Sequence, residues 1–228
     1  MPVQGSIAAQ APPRRRMAAA DRREAILAAA LEVFSAGGYH ETTLEAVAER
    51  AAVSKALIYE HFASKRELYG ALLDRYAHEL LARILEATAV SAPGEERLRE
   101  GADAFLRFVE ERRGAWRMVF GNVADPELAD WIVRLRDEVA AAIEAVMRAD
   151  APAELAADPN AEAEIEMLGH QLTGAAQALA TWWDSHRDVP REQVLASLMD
   201  FAWVGLSGLS AGRRWSADAP ASGDREAG

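Results

Sequence analysis

Apolar positions along this chain recur every third or fourth residue and almost nowhere every second one, which is the signature of amphipathic helices rather than strands. Ile26, Leu27, Ala30, Leu31 and Phe34 make the first stripe and predict a helix over about 21–36, with Asp21 as its cap. Gly37-Gly38 ends it, because glycine tolerates the left-handed position past a helix. Thr42 or Thr43 then caps a short second helix that runs through Arg50. Ala51-Ala52-Val53 is a tight connection, and Ser54 caps a short third helix ending near His61. Ser64, with Glu67 three residues on, has the form of a capping box and starts a long fourth helix. Ser91-Ala92-Pro93-Gly94 separates it from a fifth over about 95–112. Gly114 and Gly121-Asn122 bracket a short sixth, and Asp125-Pro126 opens a seventh to about 148. A polar loop with Pro152 and Pro159 precedes an eighth helix over about 161–185, and Pro190 opens a ninth that ends near Ser210.

The pattern therefore predicts an all-α protein. Residues 1–17, with Pro2, Gly5, Pro12 and Pro13 and no apolar period, read as a disordered basic arm, and 214–228 as a disordered tail. Between them the expected division is a helix-turn-helix domain over 18–63 and a larger helical domain over 64–213.

Composition narrows the function classes. Half of the 228 residues are apolar, so a sizeable core can be buried. There is no cysteine, which excludes disulfides, thiolate nucleophiles and zinc–thiolate sites and suits a cytoplasmic protein. No run of eighteen apolar residues suggests a membrane span, and the first thirty residues do not read as a signal peptide. The net charge of −11 argues against a nucleic-acid partner until its distribution is considered. Residues 1–70 hold nine Lys/Arg and eight Asp/Glu, leaving sixteen basic and twenty-eight acidic residues in the remainder. An acidic body discourages indiscriminate DNA binding while a small basic face docks.

The segment 43–62 has the makings of a helix-turn-helix. Ala48 supplies a small residue where two short helices cross; Val47, Val53, Ile58 and Phe62 supply apolar ones; Ser54 caps the second helix. Such a helix can enter a major groove with its N-terminal residues leading. Lys55 and Ala56, in its first turn, would reach base edges, lysine donating to guanine and alanine meeting a thymine methyl. Tyr59 and His61 carry donors suited to phosphate, and Leu57, on the exposed side, can meet a methyl or a sugar. Lys65 at the start of the fourth helix, and Thr43 at the start of the second, can clamp phosphate with the help of helix-end amides. Arg14–Arg16 can reach a minor groove. Tyr59 also suits a half-buried core position, and Lys65 an ordinary solvated one.

Thr42-Thr43, Val47-Ala48, Val53-Ser54-Lys55, Ile58-Tyr59, His61-Phe62 and Ser64-Lys65, with Phe34-Ser35-Ala36-Gly37-Gly38-Tyr39 before them, together resemble the N-terminal domain of the TetR family of repressors. The likeness covers about 22–73. One position departs: the family usually has glycine in the turn where this chain has Ala52, and a positive φ there would strain alanine by about 1 kcal/mol. The resemblance implies that the positions matching Thr43, Ser54, Lys55, Ala56, Leu57, Tyr59, His61 and Lys65 bind operator DNA.

The rest of the chain suggests a pair of such units. The eighth helix carries Ile165, Leu168, Leu172, Ala175, Leu179 and Trp182 on one stripe and Gly169, Thr173, Ala176 and Ala180 on another; the ninth carries Val194, Leu198, Phe201, Gly205 and Leu209. Helices apolar on more than one face are covered on two sides, as in a four-helix bundle about a two-fold axis, so the helices at about 161–185 and 190–210 are the expected homodimer surface. A monomeric core is the alternative. The resemblance implies the same dimer, and a cavity in the middle of the chain that senses a small molecule. Phe105, Trp116, Phe120 and Trp131, with His170, Thr173 and Gln177 as polar groups, suit an apolar effector. It also implies a population shift, in which ligand moves the fourth helix and the two heads no longer match the operator.

The resulting expectation is a transcriptional regulator of double-stranded operator DNA, released by a small apolar effector, with no catalytic residues, cofactor or metal. The rivals are a ligand-blind DNA-binding protein and a helical enzyme. No P-loop, GxGxxG, nucleophile elbow or HExxH is present. Glu166 with His170, and Asp184 with His186 and Asp188, are the two places where metal ligands could gather.

Overall fold

The computed structural model describes residues 19–89, 92–120, 126–150 and 160–210. They form nine helices and no strand: α1 (Ala19–Glu41), α2 (Leu44–Arg50), α3 (Lys55–His61), α4 (Lys65–Thr88), α5 (Gly94–Glu111), α6 (Arg113–Phe120), α7 (Pro126–Asp150), α8 (Ala161–Asp184) and α9 (Arg191–Ser210). The all-α expectation holds, with a three-helix helix-turn-helix unit followed by six helices. The basic arm, the tail, the Gly121-Asn122 break, the Asp125 cap and the Pro152/Pro159 loop lie outside the described residues.

Three expected boundaries are corrected. α1 already includes Ala19-Ala20, both strong helix formers, so Asp21 sits inside the first turn, where its charge complements the helix dipole, and not at the cap. The Gly37-Gly38 break is real at Gly38, whose φ of 72° and ψ of 177° interrupt the helix before one further turn to Glu41. Gly114 does not separate two helices: α5 stops at Arg112 (φ −118°, ψ 37°) and α6 begins at once. Gly114 instead lies so close to α1 that a Cβ there would stand 3.3 Å from Ser35 Cβ.

Two apolar clusters organise the molecule. The first joins Ile26, Leu27, Ala30 and Phe34 of α1, Leu44, Val47 and Ala48 of α2, Ile58 of α3 and Phe62 to Leu68, Leu72, Leu73, Leu80 and Ile84 of α4. At 1.5 Å per residue α4 is roughly 36 Å long, so it reaches from the head far into the second half, where it packs chiefly on α5. The second cluster is Leu106 and Val109 of α5, Trp116 of α6, Ala180 and Trp183 of α8 and Val194 of α9. α7 packs mainly on α8.

Candidate nucleic-acid interface

Three consecutive helices of the head begin at a hydroxyl. Thr43 Oγ1 accepts from the Ala46 amide at 3.2 Å, Ser54 Oγ from Leu57 at 3.2 Å and Ser64 Oγ from Glu67 at 3.1 Å. Glu67 answers by accepting from the Ala63 amide at 2.6 Å. Of the two candidate caps of α2, Thr43 takes the role, while Thr42 is buried and donates to Val33 O at 3.4 Å. The turn between α2 and α3 closes through Ala52 N to Glu49 O (3.1 Å) and Val53 N to Ala48 O (3.0 Å). Ala52 takes φ 53°, the left-handed conformation that the departure from glycine puts under strain.

With Ile58 and Phe62 buried against α1, α2 and α4, the opposite side of α3 is left to solvent. Lys55, Ala56 and Tyr59 are exposed there, Tyr59 at 49% of its surface, so it is not the half-buried core tyrosine its sequence also allowed. The Lys55 ammonium lies 5.7 Å from the Tyr59 ring centroid. Leu57, expected on the exposed side, is half-buried, as is His61.

Two lysines are engaged in ways the sequence did not suggest. Lys55 forms an ion pair with Glu45 of α2. That hydrogen bond holds the Glu45 carboxyl below its ordinary range and raises the Lys55 ammonium above its own. A base or phosphate must therefore compete with Glu45 for Lys55. Lys65, read as a phosphate clamp, donates to the carbonyls of Tyr39 (2.8 Å), His40 (3.3 Å) and Thr42 (3.0 Å), and its ammonium sits 4.5 Å from the Tyr39 ring centroid. These carbonyls end α1 and the turn after it, so Lys65 ties the start of α4 to the end of α1. A glutamate one turn before a lysine is a visible signal for helix pairs, but the Lys55 partner stands ten positions away and the Lys65 carbonyls more than twenty.

A groove of about 510 Å³ runs between α1 and α2, walled by Glu32, Val33, Ala36, Gly37, Glu41, Thr42, Ala46 and Arg50. Its carboxylates and the Arg50–Glu32 ion pair make it a poor place for an apolar effector.

Farther along, Phe105, Trp116 and Phe120 come together as expected. Phe105 meets Trp116 edge-on at 5.6 Å, and Trp116 meets Phe120 at 4.2 Å. Trp116 is fully enclosed, while Phe105 and Phe120 are half-buried at the border of the second cluster.

Residues 26–72 match the bacterial regulatory proteins of the tetR family, and residues 94–205 match the tetracycline repressor-like C-terminal domain. The chain belongs to the tetR family. A relative from Mycolicibacterium smegmatis, named as the HTH-type transcriptional activator FasR, is 33% identical over 191 residues, covering 82% of this chain and 84% of that protein. The Escherichia coli HTH-type transcriptional regulator RutR is 47% identical over 60 residues, which is 26% of this chain and 28% of that one. The crystal structure of a TetR-like transcriptional regulator from Rhodococcus sp. RHA1 superimposes with a TM-score of 0.69 at 26% identity, covering 85% of this chain and all of that one. The chain is thus a DNA-binding transcriptional regulator, of a family that binds operator DNA and dimerises. Among the described residues no helix is long and apolar enough to cross a membrane.

For such a regulator the polar ligand candidates divide. His170 lies on the exposed face of α8 and so does not line the protomer's interior. The Thr173 hydroxyl is spent on Gly169 O at 2.8 Å, which leaves its oxygen lone pairs and not its proton for a ligand. Gln177 is half-buried. The Trp131 side chain lies outside the described residues.

The two stripes of α8 are also redistributed. Gly169 and Ala180, on the small-residue side, face inward; a Cβ at Gly169 would be 2.7 Å from Glu144 Cγ of α7. The outward face carries Met167, His170, Gly174, Ala178 and Trp182, and α9 presents Phe201 (68% exposed) and Val204 (63%). The small inward residues let α7 and α8 approach, which the sequence periodicity alone did not distinguish from a dimer seam. Asp184, His186 and Asp188 do not form a ligand set: Asp184 faces Arg113 and Arg117, and the His186 ring stacks on Trp182 at 4.2 Å. Among the described residues no three His, Cys, Asp or Glu side chains gather to hold a metal.

Proposed function

We propose that this protein is a cytoplasmic homodimeric repressor, without enzymatic activity, that leaves a palindromic operator when a small apolar molecule enters its second half. The observation that carries the DNA contact is the split of α3: Ile58 is fully buried while Lys55, Ala56 and Tyr59 stand together on the outer side. In this reading Lys55 exchanges Glu45 for a base edge, and Tyr59 donates to a phosphate. Thr43 and Ser54 each accept from their own helix but keep a hydroxyl proton, so both can also donate to phosphate. His61 and Leu57 contribute at the edge of the footprint. Lys65 acts at one remove, by fixing α4 against α1.

The dimer forms through the outward faces of α8 and α9, where Met167, Trp182, Phe201 and Val204 leave apolar surface that a second copy covers. The effector enters beside Phe105 and Phe120, the half-buried members of the aromatic cluster, with Gln177 and Thr173, half-buried on α8, as candidate polar partners. The apolar lining and the acidic excess of this half favour an uncharged or weakly charged molecule.

The test is a gel shift on DNA from the gene's own upstream region at two salt concentrations, with Tyr59→Ala beside the wild type. Specific binding that resists competitor DNA and disappears in the folded variant supports the reading. A shift that competitor removes at the same rate in both proteins refutes it. Activation is a second reading, because the relative that matches over most of its length is named an activator. A reporter behind the bound upstream region decides between them: repression lowers its output when the regulator is present, and activation raises it.

A further inference from the structure

α6 sits between the two apolar clusters. Ala115 and Met118 belong to the cluster of the head and α4, and Tyr69 Oη of α4 donates to Met118 O at 2.7 Å. Gly114 lies against Ser35 of α1. Trp116, on the other side, packs with Ala180 and Trp183 of α8. A helix of eight residues held this way touches α1, α4 and α8 at once.

What fastens α6 to α8 is Asp184, the last residue of α8. Its Oδ2 accepts from Arg117 Nε at 2.6 Å and its Oδ1 from Arg117 Nη2 at 3.1 Å. Arg113 Nη1 stands 3.7 Å from Oδ1, and the Arg113 guanidinium lies 5.4 Å from the Trp183 ring centroid. Arg113 Nη1 is closed off from solvent without a hydrogen bond, so the carboxylate is the charge that compensates it. The Asp184 side chain is 15% exposed and that of Arg117 40%, so the fork is partly open to solvent screening, and its strength comes from the two-pronged geometry. Two guanidiniums one turn apart on α6, converging on one carboxylate, fix the rotation of α6 about its own axis.

We infer that Asp184 is a positioning residue for DNA recognition: by gripping Arg117 and Arg113 it sets the angle of α6, and through α6 the separation of the two reading heads. This rests on the operator-binding dimer proposed above. Paired helix-turn-helix units read half-sites roughly 34 Å apart, so a looser head should weaken the match to that spacing.

The experiment uses the full chain and a duplex enriched from random-sequence DNA by the wild-type dimer, together with the same duplex lengthened or shortened by one base pair at its centre. Fluorescence anisotropy gives Kd, and sedimentation gives the oligomeric state. Asp184→Asn is expected to remain dimeric, to bind the selected duplex about tenfold more weakly, and to lose most of the preference over the altered spacings. Asp184→Glu, which keeps the charge, recovers most of both. Wild-type affinity and spacing preference in Asp184→Asn overturn the inference, and so does weaker binding with the spacing preference intact, because that is loss of stability and not of position. Should Asp184→Asn fail to dimerise, Arg117→Gln is judged by the same two readouts. Tyr59→Ala separates the two levels: if it binds as the wild type does, the DNA reading and the inference fall together, whereas an insensitive Asp184 beside a defective Tyr59→Ala removes the inference alone.

Discussion

The reading head and the second half of this protein are both bundles of helices, yet they are held by different means. In the head, α2, α3 and α4 each start at a hydroxyl that accepts from an amide three residues on. In the second half, α5 starts at Pro93 and α8 at Asn160, neither with a side-chain cap bond. There the helices depend on aromatic contacts and ion pairs between distant positions, such as Arg117 with Asp184 across 67 residues and Arg83 with Glu111 across 28, links that the head has in addition to its caps, as in Lys65 with Tyr39 O across 26. α2 and α3, of seven residues each, have little length over which to recover an unmade end bond, so their ends are specified locally; the 24-residue α4 is capped as well, while α5 and α8 draw their stability from tertiary packing. A head built from locally specified pieces would keep its shape if the bundle behind it shifted, as the proposed release by ligand requires.

If the second half depends on packing, a single large deletion there should cost more than anything done to a cap. Trp183 is 1% exposed and its Nε1 donates to Val189 O at 2.8 Å. Trp183→Ala is expected to lower stability by about 3–5 kcal/mol, read by urea or thermal unfolding. A loss below that of a cap mutant would break the contrast.

The next effect falls on association. Phe201 is, among the described residues, the most exposed of the large apolar side chains on α9, and a charge there would be buried in the seam proposed for the dimer. Phe201→Asp should raise the dimer dissociation constant about thirtyfold or more, equivalent to about 2 kcal/mol, with helicity unchanged. Sedimentation that still shows a wild-type dimer would place the seam elsewhere. A local device in the head should then cost less: Ser54→Ala removes the acceptor of the Leu57 amide and is expected to cost about 1 kcal/mol.

The same contrast explains what the sequence disclosed. Helix starts at Thr43, Ser54 and Ser64 were readable because the cap and the amide it serves are three residues apart. The outer position of Tyr59 was left open by the sequence, which also allowed a half-buried core site; the burial of Ile58 on the same helix decides it in the fold. The grip of Lys65 on three carbonyls, the Glu45 partner of Lys55 and the Asp184 fork were not readable, because each joins groups brought together only by the tertiary fold. Nor could periodicity say which apolar stripe of α8 faces inward. Gly169 turns to the interior where α7 comes close and Ala180 where α5 and α6 do, and the neighbouring helices, not the stripe itself, decide that. The exposed position of His170 on α8 was not legible for the same reason.

The smallest effect is the one with the sharpest sign. Ala52 holds the left-handed turn of the head at φ 53°, where its Cβ crowds the carbonyl and glycine would have no such penalty. Part of that relief is offset, because glycine has more conformations to lose on folding. Ala52→Gly should therefore stabilise the protein by about 0.5–1 kcal/mol. The same chemical change inside a regular helix must act in the other direction. Ala180, fully buried in α8 and packed with Trp116 and Trp183, is expected to lose about 1 kcal/mol or more on replacement by glycine, from helix propensity and the vacated methyl together. Paired denaturation curves of the two variants thus test the account of the turn and of the bundle at once. If Ala52→Gly also destabilises, the turn is not strained by its alanine, and the head tolerates that residue because its contacts there outweigh the backbone preference.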